Sequence, residues 1–243
     1  MNQTQYVIEA IDLVKVYRNS QKHALDGLSL QIPDRQVFGI LGPNGAGKTT
    51  FLKSIVGLVK FDKGKLSVLG NDNYLESIPQ IGFVPEDGVL YHYLTGYDFL
   101  EFIGGIRGLS SRKIKSQIEK YHDILELPNL KLLIGSYSKG NKEKILFLSA
   151  LLHEPKILIL DEPFTGFDPL VFKKVKNLIK EYASLGNTVI LSTHILEVVS
   201  QLCQQIAIIV NGKIKSKHIL ESGKNIGDGF SEIESIYLST IEG

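Results

Sequence analysis

GPNGAGKTT, residues 42–50, decides how the rest of this chain is read. An apolar run, Val37-Phe38-Gly39-Ile40-Leu41, precedes it, and a helix-compatible run from Thr49 to Leu58 follows. Strand, Gly-rich turn, helix is the setting a phosphate-binding loop requires. Gly42, Gly45 and Gly47 permit a tight turn. Without Cβ atoms there, successive N–H groups can close round phosphate oxygens, with the positive end of the following helix behind them. Lys48 supplies a point charge for β and γ phosphates, and the Thr49 hydroxyl suits Mg²⁺. With Pro43, Asn44, Ala46 and Thr50 completing the loop, the stretch predicts binding of a nucleoside triphosphate.

Composition sets the surroundings. The 243 residues suffice for a large single domain, or a core carrying an inserted subdomain. Lys and Arg total 27 against 26 for Asp and Glu, so no overall field points to nucleic acid or an anionic membrane as the main partner. The single cysteine, Cys203, excludes an intrachain disulfide and a multi-cysteine metal cluster, and it fits a reducing cytosol. The opening MNQTQYVIEA has neither a basic leader nor an apolar secretory core. Apolar runs such as Ile206 to Val210 fall far short of the roughly 20 residues that cross a bilayer, so a membrane role needs another chain to supply the span.

Upstream of the loop, apolar residues between Tyr6 and Val16 predict a first strand and Leu28 to Ile32 a second. Tyr17 follows the first strand, either as packing or as a ligand contact. Downstream, a turn at Asp62 to Gly64 leads into a strand ending at Gly70. IGFVPEDG then reads as a short strand stopped by Pro85, with Glu86 beyond it as a solvated turn acid or a group facing metal and water. From Val89 to Leu152 the pattern turns helical. Thr95 precedes Phe99, Leu100, Phe102, Ile103 and Ile106; Ser110 and Ser111 precede Ile114, Ile118, Tyr121, Ile124 and Leu125. A third helix is expected to start near Ser138.

Buried-strand patterns return at Ile157 to Leu160, ending in Asp161-Glu162-Pro163, and at Thr188 to His194, with a helix from about Pro169 to Leu185 between them. A helix Ile195 to Cys203, a strand Ile206 to Val210, an Asn211-Gly212 turn and a return strand Lys213 to His218 follow. Gly223 to Gly229 reads as a flexible linker and SEIESIYLSTI as a terminal helix. Two acids at the end of a buried strand suit an ATPase, the first holding the Mg²⁺ shell and the second orienting or deprotonating water.

These motifs in this order resemble the ATP-binding subunit of an ABC transporter, over nearly the whole chain, and are similar to stand-alone exporter-type ATPases. The resemblance implies an α/β P-loop NTPase fold with a RecA-like core, an N-terminal antiparallel β subdomain and an inserted helical subdomain. The ATPase domain would span residues 1–221, with the helices inserted at about 89–152, and a linker and C-terminal helix would occupy 222–243. Carried over, Walker A is Gly42 to Thr50, Walker B is Ile157 to Asp161, and Glu162 is the catalytic base. Asp168 matches the D-loop, His194 the switch histidine at the γ-phosphate, and Tyr17 the aromatic that stacks on adenine. Ser138 and Gly140 match the family's signature motif, while Lys139 and Asn141 depart from it. Glu86 stands where the family commonly has glutamine; a carboxylate can still reach Mg²⁺ and water, and glutamate occurs there in some exporter ATPases.

The resemblance further implies a head-to-tail pair, homodimeric or heterodimeric, in which the helix from Ser138 faces ATP held by the other subunit. A separate integral membrane permease would dock near Glu86 to Tyr97, where Tyr91, Tyr93, Tyr97 and Phe99 either make that contact or pack a helix face. The expected place is cytoplasmic, peripheral on the inner face of the cell membrane. Export is expected because no regulatory domain is appended. Two other readings compete: a non-hydrolysing nucleotide-binding regulatory partner, and a soluble ABC-type ATPase acting on DNA or ribosomes. The long coiled coils, zinc cysteines or fused second ATPase unit typical of the latter are not in the sequence, and nucleic acid is not an expected partner.

Overall fold

Two sheets organise the molecule. The computed structural model describes residues 5–18, 22–164, 166–220 and 226–242. Strands β1 (Tyr6–Val16), β2 (His23–Pro33) and β4 (Lys63–Val68) form an antiparallel sheet in the order β2-β1-β4. β2 begins earlier than its apolar run predicts, because pairing with β1 continues past the last apolar residue to His23 opposite Val16.

The second sheet has the order β5-β6-β7-β3-β8-β9, from β5 (Ile81–Val84), β6 (Ile157–Asp161), β7 (Thr188–Thr193), β3 (Val37–Leu41), β8 (Gln205–Val210) and β9 (Lys213–Ile219). All its pairings are parallel except the β8–β9 hairpin. Every residue of β3, β6 and β7 is buried, as strands covered on both faces must be, and this explains their unbroken apolar runs. One face packs with the antiparallel sheet and α1 (Lys48–Ile55) through Leu13, Leu25, Phe38, Ile40, Phe51 and Ile190. The other packs beneath the remaining helices through Leu41, Leu160, Val175, Leu191 and Val199.

The helical stretch resolves into α2 (Gly96–Ile106), α3 (Ser111–Leu125) and α4 (Lys139–Leu151), capped by the hydroxyls of Thr95, Ser110 and Ser138 as their sequences predict. The expected apolar face of α2 is only partly buried: Phe99 and Leu100 are in the core, while Phe102 and Ile106 are exposed. Phe99 therefore packs internally, whereas Tyr91, Tyr93 and Tyr97 are exposed. α5 (Pro169–Ser184) and α6 (Leu196–Leu202) flank β7 in sequence, and α7 (Ile226–Glu242) closes the chain. α7 begins earlier than expected. The expected linker accordingly loses residues 226–229 to helix, and its residues 223–225 lie outside the described residues. Ile233 anchors α7 in the helical-side core. Among the described residues no helix is long and apolar enough to cross a membrane.

Candidate nucleotide site

The strand order places the carboxyl ends of β6, β7 and β3 side by side, and the chemistry collects there. The loop after β3 runs through Gly45, at φ 76° with open space where a Cβ would stand, and into α1 with Gly47 as N-cap. Gly42 and Gly47 are glycines for a different reason. A Cβ on Gly42 would lie 2.2 Å from the Ile209 carbonyl oxygen, and one on Gly47, at φ 109°, would lie 2.4 Å from that of Ala24. Protein backbone, and not only a phosphate, closes round them.

Lys48 is buried and donates to the carbonyls of Gly42 (2.7 Å) and Pro43 (3.3 Å), with Glu162 Oε1 at 3.8 Å. The Thr49 hydroxyl donates to Asp161 Oδ1 at 3.2 Å, and the Ser192 hydroxyl donates to the same oxygen at 2.5 Å. Asp161 Oδ2 is buried with no hydrogen-bond partner. A buried carboxylate oxygen in that state suits a cation, and hard oxygen ligands from a hydroxyl and one carboxylate fit Mg²⁺, which keeps waters and takes phosphate oxygens for the rest of its shell.

Glu162 follows at φ 49°, a left-handed backbone uncommon for a residue with a side chain. Its N–H is held by the Ser192 carbonyl (3.1 Å) and hydroxyl (3.3 Å), and Oε1 meets His194 Nδ1 at 3.0 Å. Ser192 was missed by sequence reasoning. Its signal was a hydroxyl directly after the apolar run Val189-Ile190-Leu191 of a buried strand, where a polar group needs partners.

Glu86, from the loop after β5, joins this group. Glu86 is exposed at the cavity edge; partial desolvation there, then the negative charges of Asp161 and Glu162, hold its carboxyl above the ordinary carboxylate range. A cavity of about 440 Å³ is lined by Ala24, the loop residues Asn44 to Thr50, Glu86, Glu162 and His194. Tyr17 stands outside that lining, half exposed, its hydroxyl 3.4 Å from the Thr50 hydroxyl.

Ser138, Gly140 and Asp168 do not line the cavity. The Ser138 hydroxyl accepts the Asn141 N–H at 3.3 Å at the exposed start of α4. Asp168 caps α5, its Oδ1 accepting the N–H groups of Leu170 and Val171 at 3.0 Å each, and the Val171 bond leads in holding its carboxyl below the usual range. Lys139 is exposed, with Glu143 Oε1 at 3.9 Å.

The ABC transporter family model matches residues 25–165, more than half of the chain and including the loop and the Asp161-Glu162 pair. The chain belongs to the ABC transporter family. This ABC chain is 37% identical over 193 residues to an uncharacterized ABC transporter ATP-binding protein of Bacillus subtilis, covering 78% of the chain and 64% of that protein. It is 36% identical over 213 residues to the bacitracin transport ATP-binding protein BcrA of Bacillus licheniformis, covering 86% and 68%. A solved ATP-binding subunit of an ABC transporter superposes with a TM-score of 0.82 at 29% identity, over 94% of the ABC chain and 99% of the other. The ABC chain spans 64%, 61% and 66% of the length of three curated relatives.

Proposed function

We propose that this chain is the ATP-hydrolysing subunit of a transporter whose membrane permease is a separate polypeptide, and that it drives export. The observation that carries the ATPase part is the convergence of Lys48, Thr49, Glu162, His194 and Glu86 on one cavity, with Asp161 buried behind it against the Thr49 hydroxyl. ATP is the substrate. Lys48 and the N–H groups of Gly45 to Thr49 hold its β and γ phosphates. Asp161 and the Thr49 hydroxyl would hold Mg²⁺, and Glu86 lines the same cavity. When bound, Mg²⁺ neutralises charge on the phosphate oxygens.

Glu162 is placed to take the proton of the attacking water. Its contact with His194 Nδ1 fixes the imidazole and leaves Nε2 for the γ-phosphate. Tyr17, its hydroxyl beside that of Thr50, is available to stack on the adenine. Ser138 and Gly140 lie away from this cavity at an exposed helix start, which supports their use in the site of a second ATP-binding subunit, with Asp168 at the same junction. The exposed Tyr91, Tyr93 and Tyr97 offer an apolar face to the permease. The working place is then cytoplasmic, on the inner face of the membrane.

The test is phosphate release by the purified chain with ATP and Mg²⁺, with and without EDTA, beside Lys48→Ala. Turnover that needs both Mg²⁺ and Lys48 supports the proposal. Lys48-dependent ATP binding without phosphate release transfers support to the non-hydrolysing regulatory reading.

A further inference from the structure

The rear of the phosphate-binding loop is clamped by two segments from elsewhere in the chain. Gly212, in the β8–β9 turn, donates its N–H to the Ala46 carbonyl at 2.8 Å. Its own carbonyl accepts the N–H of Asp26, on β2, at 3.0 Å. The turn therefore bridges loop and strand. Gly47 is in contact with both, its absent Cβ lying 2.4 Å from Ala24 O and 3.5 Å from Gly212 Cα. Outside this backbone junction, Lys213 Nζ lies 3.0 Å from Asp26 Oδ2, and His23 Nδ1 lies 3.1 Å from Asp26 Oδ1. Gly212 has φ 75°, and a Cβ there would meet Asp26 N at 2.9 Å and both Ala24 O and Leu25 Cα at 3.0 Å. No side chain fits between turn and strand.

We infer that the β8–β9 turn, through Gly212 and the Lys213–Asp26 pair, is a positioning element that sets the phosphate-binding loop for nucleotide. The physical reason is preorganisation. A loop of three positive-φ glycines has many alternative conformations, and an N–H to the Ala46 carbonyl restricts them before phosphate arrives. The inference rests on the reading of Gly42 to Thr50 as the nucleotide site. It assigns a role in binding to residues remote from that motif in sequence.

Gly212→Ala is paired with Gly27→Ala. Gly27 has φ 70° on the same β2, with nothing within 4 Å of a Cβ, so both variants strain the backbone alike and only the first displaces the turn. The readouts are melting temperature and equilibrium affinity for a fluorescent ATP analogue with Mg²⁺. Both variants should melt lower, but only Gly212→Ala should bind nucleotide about tenfold more weakly, the size of a loss of one well-made contact. A folded Gly212→Ala with wild-type affinity overturns the inference.

Should Gly212→Ala not fold, Lys213→Ala and Asp26→Asn decide. An exposed pair of this kind should weaken binding by about two- to fivefold, and the charge-exchanged double variant Asp26→Lys/Lys213→Asp should recover it. Affinity untouched in both single variants overturns the inference. Failure of the wild-type chain to bind, or binding unaffected by Lys48→Ala, would instead overturn the nucleotide-site reading beneath it.

Discussion

A Cβ on Gly140 would lie 2.4 Å from the carbonyl oxygen of Gly166. The first turn of α4 thus rests directly on the backbone that leads into α5, and the absence of a side chain at Gly140 is an internal packing requirement as well as a feature of an exposed helix start.

Gly140→Ala should therefore destabilise the isolated chain. Forcing a methyl into a closed contact costs about 1–3 kcal/mol. For a chain of this size that is roughly 2–4 °C of melting temperature per kcal/mol. Nucleotide affinity should be retained, because the cavity lining does not include Gly140. Scanning calorimetry and nucleotide titration check the two halves; an unshifted melting temperature would show that α4 slides without cost.

Lys48→Ala should abolish measurable nucleotide binding. Its ammonium is the one Lys or Arg charge among the described residues lining the cavity, facing Glu86 and Glu162. Removing it leaves two carboxylates opposite a polyphosphate with no fixed positive charge. Isothermal titration with ATP and Mg²⁺ measures this, and binding within a few-fold of wild type would contradict it.

Glu162→Gln should keep ATP affinity and lose about 10²–10⁴ in turnover, the usual worth of a positioned base. The amide still reaches His194, so the imidazole stays in place and the loss reports proton transfer. Single-turnover phosphate release is the measurement. Wild-type turnover would move the base elsewhere, with Glu86 the neighbouring carboxylate.

Glu86 gives a pH-dependent stability with a definite sign. Partial desolvation and the carboxylates of Asp161 and Glu162 raise its pKa above the ordinary value of 4.5, and the exposure of Glu86 lets solvent screen part of that effect. A carboxyl raised on folding opposes folding once ionised. The penalty is thus absent below the unfolded value and grows as pH rises through the folded one. In EDTA and without nucleotide, Glu86→Gln should raise the melting temperature at neutral pH and leave it unchanged below about pH 4. An equal shift at both pH values would mean the substitution acts through packing and not through charge.

The sequence by itself determined the elements and most of the site. Phosphate-loop glycines, hydroxyls at helix starts, Asp168-Pro169 ahead of α5 and unbroken apolar strands are local signals, fixed by backbone sterics and burial over a few residues. They were sufficient to name Lys48, Thr49, Asp161 and Glu162 as candidates, whereas His194 came only from the family resemblance. The tertiary structure alone decided which strand ends are neighbours, since strand order in a parallel sheet is set by long crossovers and shared burial that leave no local trace. Only that order brings Ser192 under Asp161 and Glu86 toward both acids. It also explains why Gly42, Gly47 and Gly140 are glycines: the atoms that exclude a side chain, in Ile209, Ala24 and Gly166, come from distant parts of the chain. The early start of α7 was hidden for the opposite reason. Glycines at 227 and 229 read locally as linker, but packing of Ile233 and its neighbours against the core outweighs the roughly 1 kcal/mol that each glycine costs a helix.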